Sequence, residues 1–515
     1  MSRTSAVVFL LLFAIASIAA AQTPVDINLN RLAEAVNAIN ENQLPRAEEL
    51  LNSVLATSPN DADALNLLGV VRAKQDRSGE AERLFRRALL SFPSHVSAHV
   101  NLAELLLSHN RSVEAMPILL RAHKLAPSRP EINLNLARLY AAKSNYSQAY
   151  EHLHLVPSDA FNDDYFILMM RTLVGLKRLE EVSELLRQFH SENAETQAEF
   201  ATLLTRAGFH DDALKILNTA SDTSASFPVL YALGMVNISL KHYDKAEEYL
   251  SSALRLKPDE VAVLLALAKL ARVTGNIEKA LSHLLQARRV APDSPAVLYD
   301  FGVTTLQMGL VLDALPVFAR LHRDYPREPT YIYALAAAHW TRGEVAETSR
   351  LMNNYVALRP EASSGWYLLG AALLRQEKTS DAQKALQRSL SLKEDADTEY
   401  LLGASFEKVS NRSAAMDLFR KVLQLRPDHA AAHAALGALY REAGKYAEAR
   451  LELERAIELD ANDLRANYQL GLVYAKLGDI EAAQKMFDRA DQLRKSQHEQ
   501  ERVILKLIDE PPPEP

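Results

Sequence analysis

Along most of this chain, apolar residues recur three and four positions apart, which is the spacing of one face of an α-helix. Residues 62–93 show the pattern clearly. Leu65 and Leu68 form one such stripe, and Ala81 and Phe85 begin a second stripe after a polar segment. This segment therefore predicts two amphipathic helices, which we call helix A and helix B, joined by a short turn.

Small residues and a proline define how the two helices pack. Gly69 removes the side chain where helix A must approach helix B, and Ala81 is the small residue expected to face it. Gly79 and its polar neighbours are expected to form the turn. Pro93 ends helix B because it lacks a backbone donor and clashes with the preceding turn. The pattern is that of a helical hairpin.

The hairpin pattern repeats along the chain with a period of 34 residues or slightly fewer. The small residue that opens helix B recurs fourteen times: Ala47, Ala81, Ala115, Ala149, Val182, Ala213, Ala246, Ala280, Ala314, Thr348, Ala382, Ala415, Ala449 and Ala483. A single hairpin cannot bury both of its apolar faces, so stacked neighbours must complete the core.

These positions resemble the tetratricopeptide repeat (TPR). The small helix-A residue of that family is matched at Gly69, Ala103, Ala137, Ala201, Gly234, Ala268, Gly302, Ala336, Gly370, Gly403, Gly437 and Gly471. The resemblance implies an all-α fold, a right-handed superhelical solenoid of about fourteen antiparallel helix-turn-helix repeats. It also implies that helix A lines the concave side.

The repeats predict a domain organisation. We expect an N-terminal array over 28–157, weaker repeats and a candidate joint over 158–220, and a C-terminal array over 221–490. A charged capping helix is expected over 491–509, and an extended proline-rich tail over 510–515.

The N-terminus predicts export. Arg3 precedes an apolar run that ends in the small residues Ala19 to Ala21, which is the pattern of a secretory signal peptide over 1–21, cleaved after Ala21. The alternative is an uncleaved anchor, although the run is shorter than the roughly 20 residues needed to span a bilayer. The predicted location is the periplasm or the exterior, with membrane contact only if this segment is retained.

Composition narrows the chemistry. The chain has no cysteine, which excludes disulfides, thiolate metal sites and cysteine nucleophiles. Its net charge of -7 disfavours a nucleic-acid surface. No catalytic or nucleotide-binding motif occurs, and repeats fill the chain from about residue 28 to residue 490. We therefore expect no enzyme activity, no cofactor and no metal.

Two sets of residues are candidates for partner binding. In eight successive units, the residue three positions before the small helix-A residue should face the groove, and in six it is tyrosine: Tyr231, Tyr299, Tyr333, Tyr367, Tyr400 and Tyr468. Trp340 should point the same way. Aromatic rings in a groove can anchor a protein partner, although the same rings can instead pack between repeats.

Asparagines distinguish the N-terminal repeats. Asn101 and Asn135 lie two residues before Ala103 and Ala137, one repeat apart. They resemble the asparagine ladder by which some TPR superhelices hold a peptide backbone. As an alternative, they are solvated polar residues.

The sequence thus favours a non-catalytic scaffold that binds peptide or helical segments in the TPR groove, as in cell-envelope complex assembly. Two alternatives stay open. One is an accessory protein for polysaccharide export that binds glycans through the groove tyrosines, and the other is a regulatory TPR subunit of an enzyme complex.

Overall fold

The computed structural model describes residues 24–496, without the side chains of 24–27, 222–223 and 494–496. Within that range the chain forms 28 α-helices. The helices are α1 (Pro24–Asn40), α2 (Leu44–Thr57), α3 (Ala62–Lys74), α4 (Ser78–Ser91), α5 (Val96–Ser108), α6 (Ser112–Leu125), α7 (Pro130–Ala142), α8 (Tyr146–His154), α9 (Asp163–Leu176), α10 (Val182–Gln188), α11 (Ala194–Arg206), α12 (His210–Thr223), α13 (Phe227–Ser239), α14 (Tyr243–Leu256), α15 (Val261–Val273), α16 (Ile277–Val290), α17 (Pro295–Gln307), α18 (Val311–Asp324), α19 (Pro329–Thr341), α20 (Val345–Leu358), α21 (Ser363–Arg375), α22 (Thr379–Leu392), α23 (Ala396–Lys408), α24 (Arg412–Leu425), α25 (Ala430–Glu442), α26 (Tyr446–Leu459), α27 (Leu464–Leu477) and α28 (Ile480–Ser496).

The helices pair in chain order as hairpins, each with an odd-numbered helix A and an even-numbered helix B. They form two compact units, residues 1–256 with helices α1–α14 and residues 257–515 with helices α15–α28. The predicted all-α solenoid class and the repeat count are confirmed.

Within each unit, most consecutive helices A touch one another, as α25 and α27 do, and most helices B touch the next helix A. Helices A therefore lie along one side of each unit, which we call the A-face.

In hairpins whose small helix-A residue is glycine, that glycine packs against an aromatic ring or a branched side chain of helix B. A Cβ on Gly69 would lie 2.6 Å from the ring of Phe85, and one on Gly302 would lie 2.6 Å from the ring of Phe318. The predicted close approach of helices A and B is thus confirmed. The partner of Gly69, however, is Phe85 rather than the predicted Ala81.

The turn between helices A and B uses a left-handed residue, which favours Gly, Asn or Asp. This residue is Asp76 in the second hairpin, with a φ of 59°, and Asn110 in the third, with a φ of 60°. The prediction that Gly79 forms the turn is wrong, because Gly79 lies in the first turn of α4.

A recurring hydrogen bond closes the connection from helix B to the next helix A. His99 Nε2 donates to the carbonyl of Pro93 at 3.0 Å, Asn133 Nδ2 to that of Pro127 at 2.7 Å, and Trp366 Nε1 to that of Pro360 at 3.0 Å. In each pair the donor follows the acceptor by six residues. These side chains satisfy carbonyls of the connection, two residues beyond the end of helix B.

The weak repeats are built differently. Helix α8 has 9 residues and α10 has 7, where helices B elsewhere have about fourteen. Short 3₁₀ turns at Ser158–Ala160 and Leu179–Glu181 replace the missing helix. Residues 158–220 lie inside the first unit, whose boundary falls at Leu256, and the candidate joint there stays a prediction.

Aromatic rings fill the space left by the short helices. Phe189 stacks on Phe200 with 3.9 Å between ring centroids, and the edge of Phe166 meets Phe189 at 5.4 Å. Phe161 stacks on Tyr165 at 3.8 Å. These rings supply the apolar area that a full-length helix B would otherwise contribute.

At the C-terminal end, α28 runs without a break from Ile480 to Ser496. Residues 491–496 therefore extend the last helix B rather than begin a separate capping helix. The predicted signal peptide over 1–21, the rest of the predicted capping helix over 491–509 and the predicted tail over 510–515 lie outside the described residues.

Candidate functional site

The A-face of the first unit carries a strip of polar side chains that crosses four helices A. We call it the polar strip. It consists of Asn66 on α3, Asn101 and Glu104 on α5, Asn135 and Arg138 on α7, and Asp164 on α9.

Both predicted asparagines belong to the polar strip. Asn101 Nδ2 donates to Asn66 Oδ1 at 2.9 Å, which joins α5 to α3. Asn135 is buried, and its Oδ1 accepts from Arg138 Nη1 at 2.9 Å. The amides therefore bond to neighbouring side chains of the strip.

Glu104 and Arg138 extend the polar strip between repeats. Glu104 is hydrogen-bonded to Asn135, and burial raises the pKa of Glu104 to about 7. Arg138 Nη2 pairs with Asp164 Oδ2 at 2.9 Å, and the two side chains are half-exposed or more. The strip thus runs from a buried amide pair to an accessible ion pair.

Of this surface, Asn101 and Asn135 were predicted as binding residues from the sequence. Glu104 and Arg138 both directly follow the small helix-A residue and lie 34 positions apart. Residues at the same place in successive repeats lie in one row, so this register was a signal for the charged members of the strip.

Three of the six tyrosines in the predicted ladder are internal. Tyr299 and Tyr333 are each 3% exposed, and Tyr367 is 7% exposed. Tyr299 lies 6.3 Å from the ring of Phe318, and Tyr333 lies 5.4 Å from that of Tyr355, both on the helix B of the same hairpin. The expectation that these three rings face an open groove is wrong, because the second unit packs them between its helices.

The other three tyrosines are more accessible. Tyr231 and Tyr400 are half-buried, and Tyr468 is 42% exposed. Tyr400 and Tyr468 pack against Phe419 and Phe487, at 5.6 and 5.7 Å between ring centroids. Each of these two rings packs against an aromatic ring of helix B, as the buried tyrosines do, but part of it is exposed to solvent.

Trp340 is also buried, at 4% exposed, with the Arg375 guanidinium 4.2 Å from its ring centroid. Its predicted direction toward an open groove is therefore wrong. A cation is attracted to the face of an indole ring. Arg375 of α21 therefore covers the ring of Trp340 of α19 and shields it from solvent.

Charged residues follow the A-face of the second unit. Within the described residues, its helices A carry seven lysines and arginines, which we call the cation row: Lys269, Arg272, Arg375, Lys408, Arg441, Arg465 and Lys476. Arg272 pairs with Asp300 at 2.9 Å, and Arg465 forms an ion pair with Glu407.

His95 and His99, four residues apart on the chain, make contacts within the fold. His95 Nδ1 accepts from the Ala98 amide at 3.1 Å, which leaves Nε2 to donate to Asp63 at 3.0 Å. In the described part of the chain, no group of three or more histidine and carboxylate side chains is placed to hold a metal ion.

Family models match the repeats directly. Tetratricopeptide-repeat models match residues 32–83, 71–130, 111–173, 238–299 and 464–497, and a TPR-repeat model matches residues 437–478. The chain is a tetratricopeptide-repeat protein. Proteins of this family bind protein or peptide partners, and their all-helical solenoids are typically non-catalytic scaffolds.

Among solved structures, the TPR protein is similar to the one described as the APC/C hetero-tetramer Cut9-Hcn1, at 15% identity over 92% of this chain and 97% of that chain, with a TM-score of 0.46. It is also similar to YrrB, described as a TPR protein with an unusual peptide-binding site, at 20% identity over 35% of this chain and 92% of that chain, with a TM-score of 0.29.

A third similar structure is MamA 41-end from Desulfovibrio magneticus RS-1, at 20% identity over 33% of this chain and 98% of that chain, with a TM-score of 0.30. No curated protein matches the sequence. Among the described helices of this TPR protein, none is both long enough and apolar enough to cross a membrane.

Proposed function

We propose that this TPR protein is an exported, non-catalytic scaffold that holds a peptide or helical segment of a partner protein on its A-faces, in the assembly of a cell-envelope complex. The polar strip of the first unit carries the proposal. It presents the accessible ion pair of Arg138 and Asp164 beside amides that neighbouring side chains hold in place, and a peptide backbone offers donors and acceptors along its length.

The burial of the tyrosines favours a protein partner over a glycan. A sugar that stacks on tyrosine needs an open ring face, and Tyr299, Tyr333 and Tyr367 are all packed inside hairpins. Peptide binding needs hydrogen-bonding groups on a surface, and the exposed end of the polar strip, Arg138 with Asp164, supplies them.

The test is selection of peptides from a random display library against the purified chain, followed by binding measurements on Arg138→Ala. The matched control is Arg86→Ala, on a helix B, because the two side chains are 50% and 48% exposed. We expect selected peptides to lose about tenfold in affinity for Arg138→Ala and to bind Arg86→Ala unchanged. If no peptide is selected, or if the two variants behave alike, the proposal fails.

A further inference from the structure

An ion pair on the A-face of the second unit joins two repeats that have another repeat between them in the chain. Arg465 on α27 pairs with Glu407 on α23, 58 residues earlier in the chain, although the hairpin of α25 and α26 lies between them in sequence. Arg465 is 47% exposed and Glu407 is 25% exposed. The pair is therefore accessible from solvent.

The helix between them carries small residues where other repeats carry tyrosine. The residue at this position of α25 is Ala434, and one turn later it is Ala438. Both alanines are 2% exposed. Residues three or four apart share one face of a helix, so Arg441, three residues after Ala438, lies toward the same side, where it bonds to Gln469 of α27.

Further cations lie on the same three helices A. The cation row contributes Lys408, Arg441 and Lys476 from α23, α25 and α27, in addition to Arg465. Arg441 Nε donates to the uncharged Gln469 Oε1 at 2.6 Å, and Lys408 donates to the carbonyl of Leu374.

The other carboxylates of α23 and α25 have cations of their own. Asp397 pairs with Arg426, Glu399 with Lys421, and Glu442 most closely with Arg412, with Arg441 farther away at 3.8 Å. Arg426, Lys421 and Arg412 lie on α24 or at its C-terminal end. Glu407 is the carboxylate that pairs with Arg465.

We propose that the cation row around Arg465 binds an acidic segment of a peptide partner, and that Glu407 occupies the Arg465 guanidinium until a carboxylate of the partner replaces it. Guanidinium and carboxylate form charge-assisted hydrogen bonds, and Glu407 shows that the position of Arg465 admits a carboxylate. Tyr468, three residues after Arg465 on the same helix and 42% exposed, adds apolar area beside the anion. This inference rests on the proposed function, since it names the class of partner.

The experiment measures fluorescence anisotropy of labelled deca-glutamate on the full chain, with deca-lysine and a single-stranded DNA oligomer as comparison probes. Removing the internal competitor in Glu407→Gln should tighten deca-glutamate binding by about fivefold, and Arg465→Gln should weaken it by at least about fivefold. The matched controls lie on a helix B. They are Glu458→Gln, and Arg455→Gln at 49% exposed against 47% for Arg465. Both controls should bind as the unmodified chain does.

Three results would overturn the inference: Glu407→Gln without tighter binding, Arg465→Gln equal to Arg455→Gln, or DNA bound in place of the acidic peptide. Circular dichroism establishes that each variant is folded. If this inference fails, the binding of peptides that depend on Arg138 is unaffected. If deca-glutamate binding depends on Arg465 while no peptide is selected on the polar strip, this inference holds and the proposed site in the first unit does not.

Discussion

At the scale of the residue, one place in the repeat has two different environments. The tyrosine position is buried at Tyr299, Tyr333 and Tyr367 but 42% exposed at Tyr468. A hydrophobic ring with a polar tip is compatible with both environments. The residue type alone therefore does not identify a binding surface.

Two glycines of one hairpin should respond oppositely to alanine. A Cβ on Gly69 would overlap the Phe85 ring, whereas one on Gly79 would meet nothing within 4 Å. Gly69→Ala should destabilise the chain by about 1–3 kcal/mol through overpacking. Gly79→Ala should stabilise it by about 0.5 kcal/mol by restricting the unfolded chain. Urea unfolding followed by circular dichroism measures both, and equal stabilities would contradict the packing described for Gly69.

The buried carboxyl of Glu104 predicts a pH dependence. Its pKa of about 7 lies above the ordinary 4.5, so the folded chain binds this proton more tightly than the unfolded chain does. The stability it contributes is full below the ordinary pKa and is lost as the pH rises through about 7. Glu104→Gln should therefore flatten the fall in melting temperature between about pH 5 and about pH 8.

Glu114→Gln is the control for Glu104→Gln. The Arg111 hydrogen bond lowers the pKa of Glu114, so any stability it contributes is lost toward acid instead. A slope between neutral and mildly basic pH that is unchanged in Glu104→Gln would show that Glu104 is not the responsible group.

At the scale of the element, the short helices α8 and α10 show how a solenoid accommodates an incomplete repeat. The chain replaces helical turns by 3₁₀ segments, and phenylalanines bridge the gap between α9 and α11. In a stack where each hairpin contacts only its neighbours, such a region should be locally sensitive.

Phe200→Ala tests this local sensitivity. Phe200 is fully buried and stacks on Phe189, so its removal should cost about 3–5 kcal/mol. Hydrogen exchange followed by mass spectrometry should show faster exchange in α9 to α11 and unchanged exchange in α3 and α4. Uniform acceleration along the first unit would instead indicate one cooperative block.

At the scale of the whole molecule, the two units carry different chemistry on the same side of the repeat. The first presents the polar strip, with charges of both signs, and the second presents the cation row. The overall charge is -7, so the composition alone does not reveal that cations are grouped on the helices A of the second unit. Two such faces allow one scaffold to bind two different segments.

Export of the whole chain is open to a direct check. If the pattern over 1–21 is a cleaved signal, the mature protein from its native envelope should begin at Gln22 in N-terminal sequencing. A chain that begins at Met1 and sediments with membranes would instead support the uncleaved anchor.

The sequence by itself determined the hairpins, their number and their register. It could do so because each hairpin core, such as Gly302 against Phe318, forms between residues of one repeat. The same local logic placed Asn101 and Asn135 in corresponding positions of neighbouring repeats. That was enough to predict one end of the polar strip.

Only the tertiary structure decided which side chains are exposed, since exposure depends on the neighbouring hairpins. It buried Tyr333 and placed Arg375 over Trp340. It also brought Glu407 to Arg465 across an intervening hairpin. A contact between residues 58 positions apart depends on how three hairpins stack, and a period of 34 does not encode it.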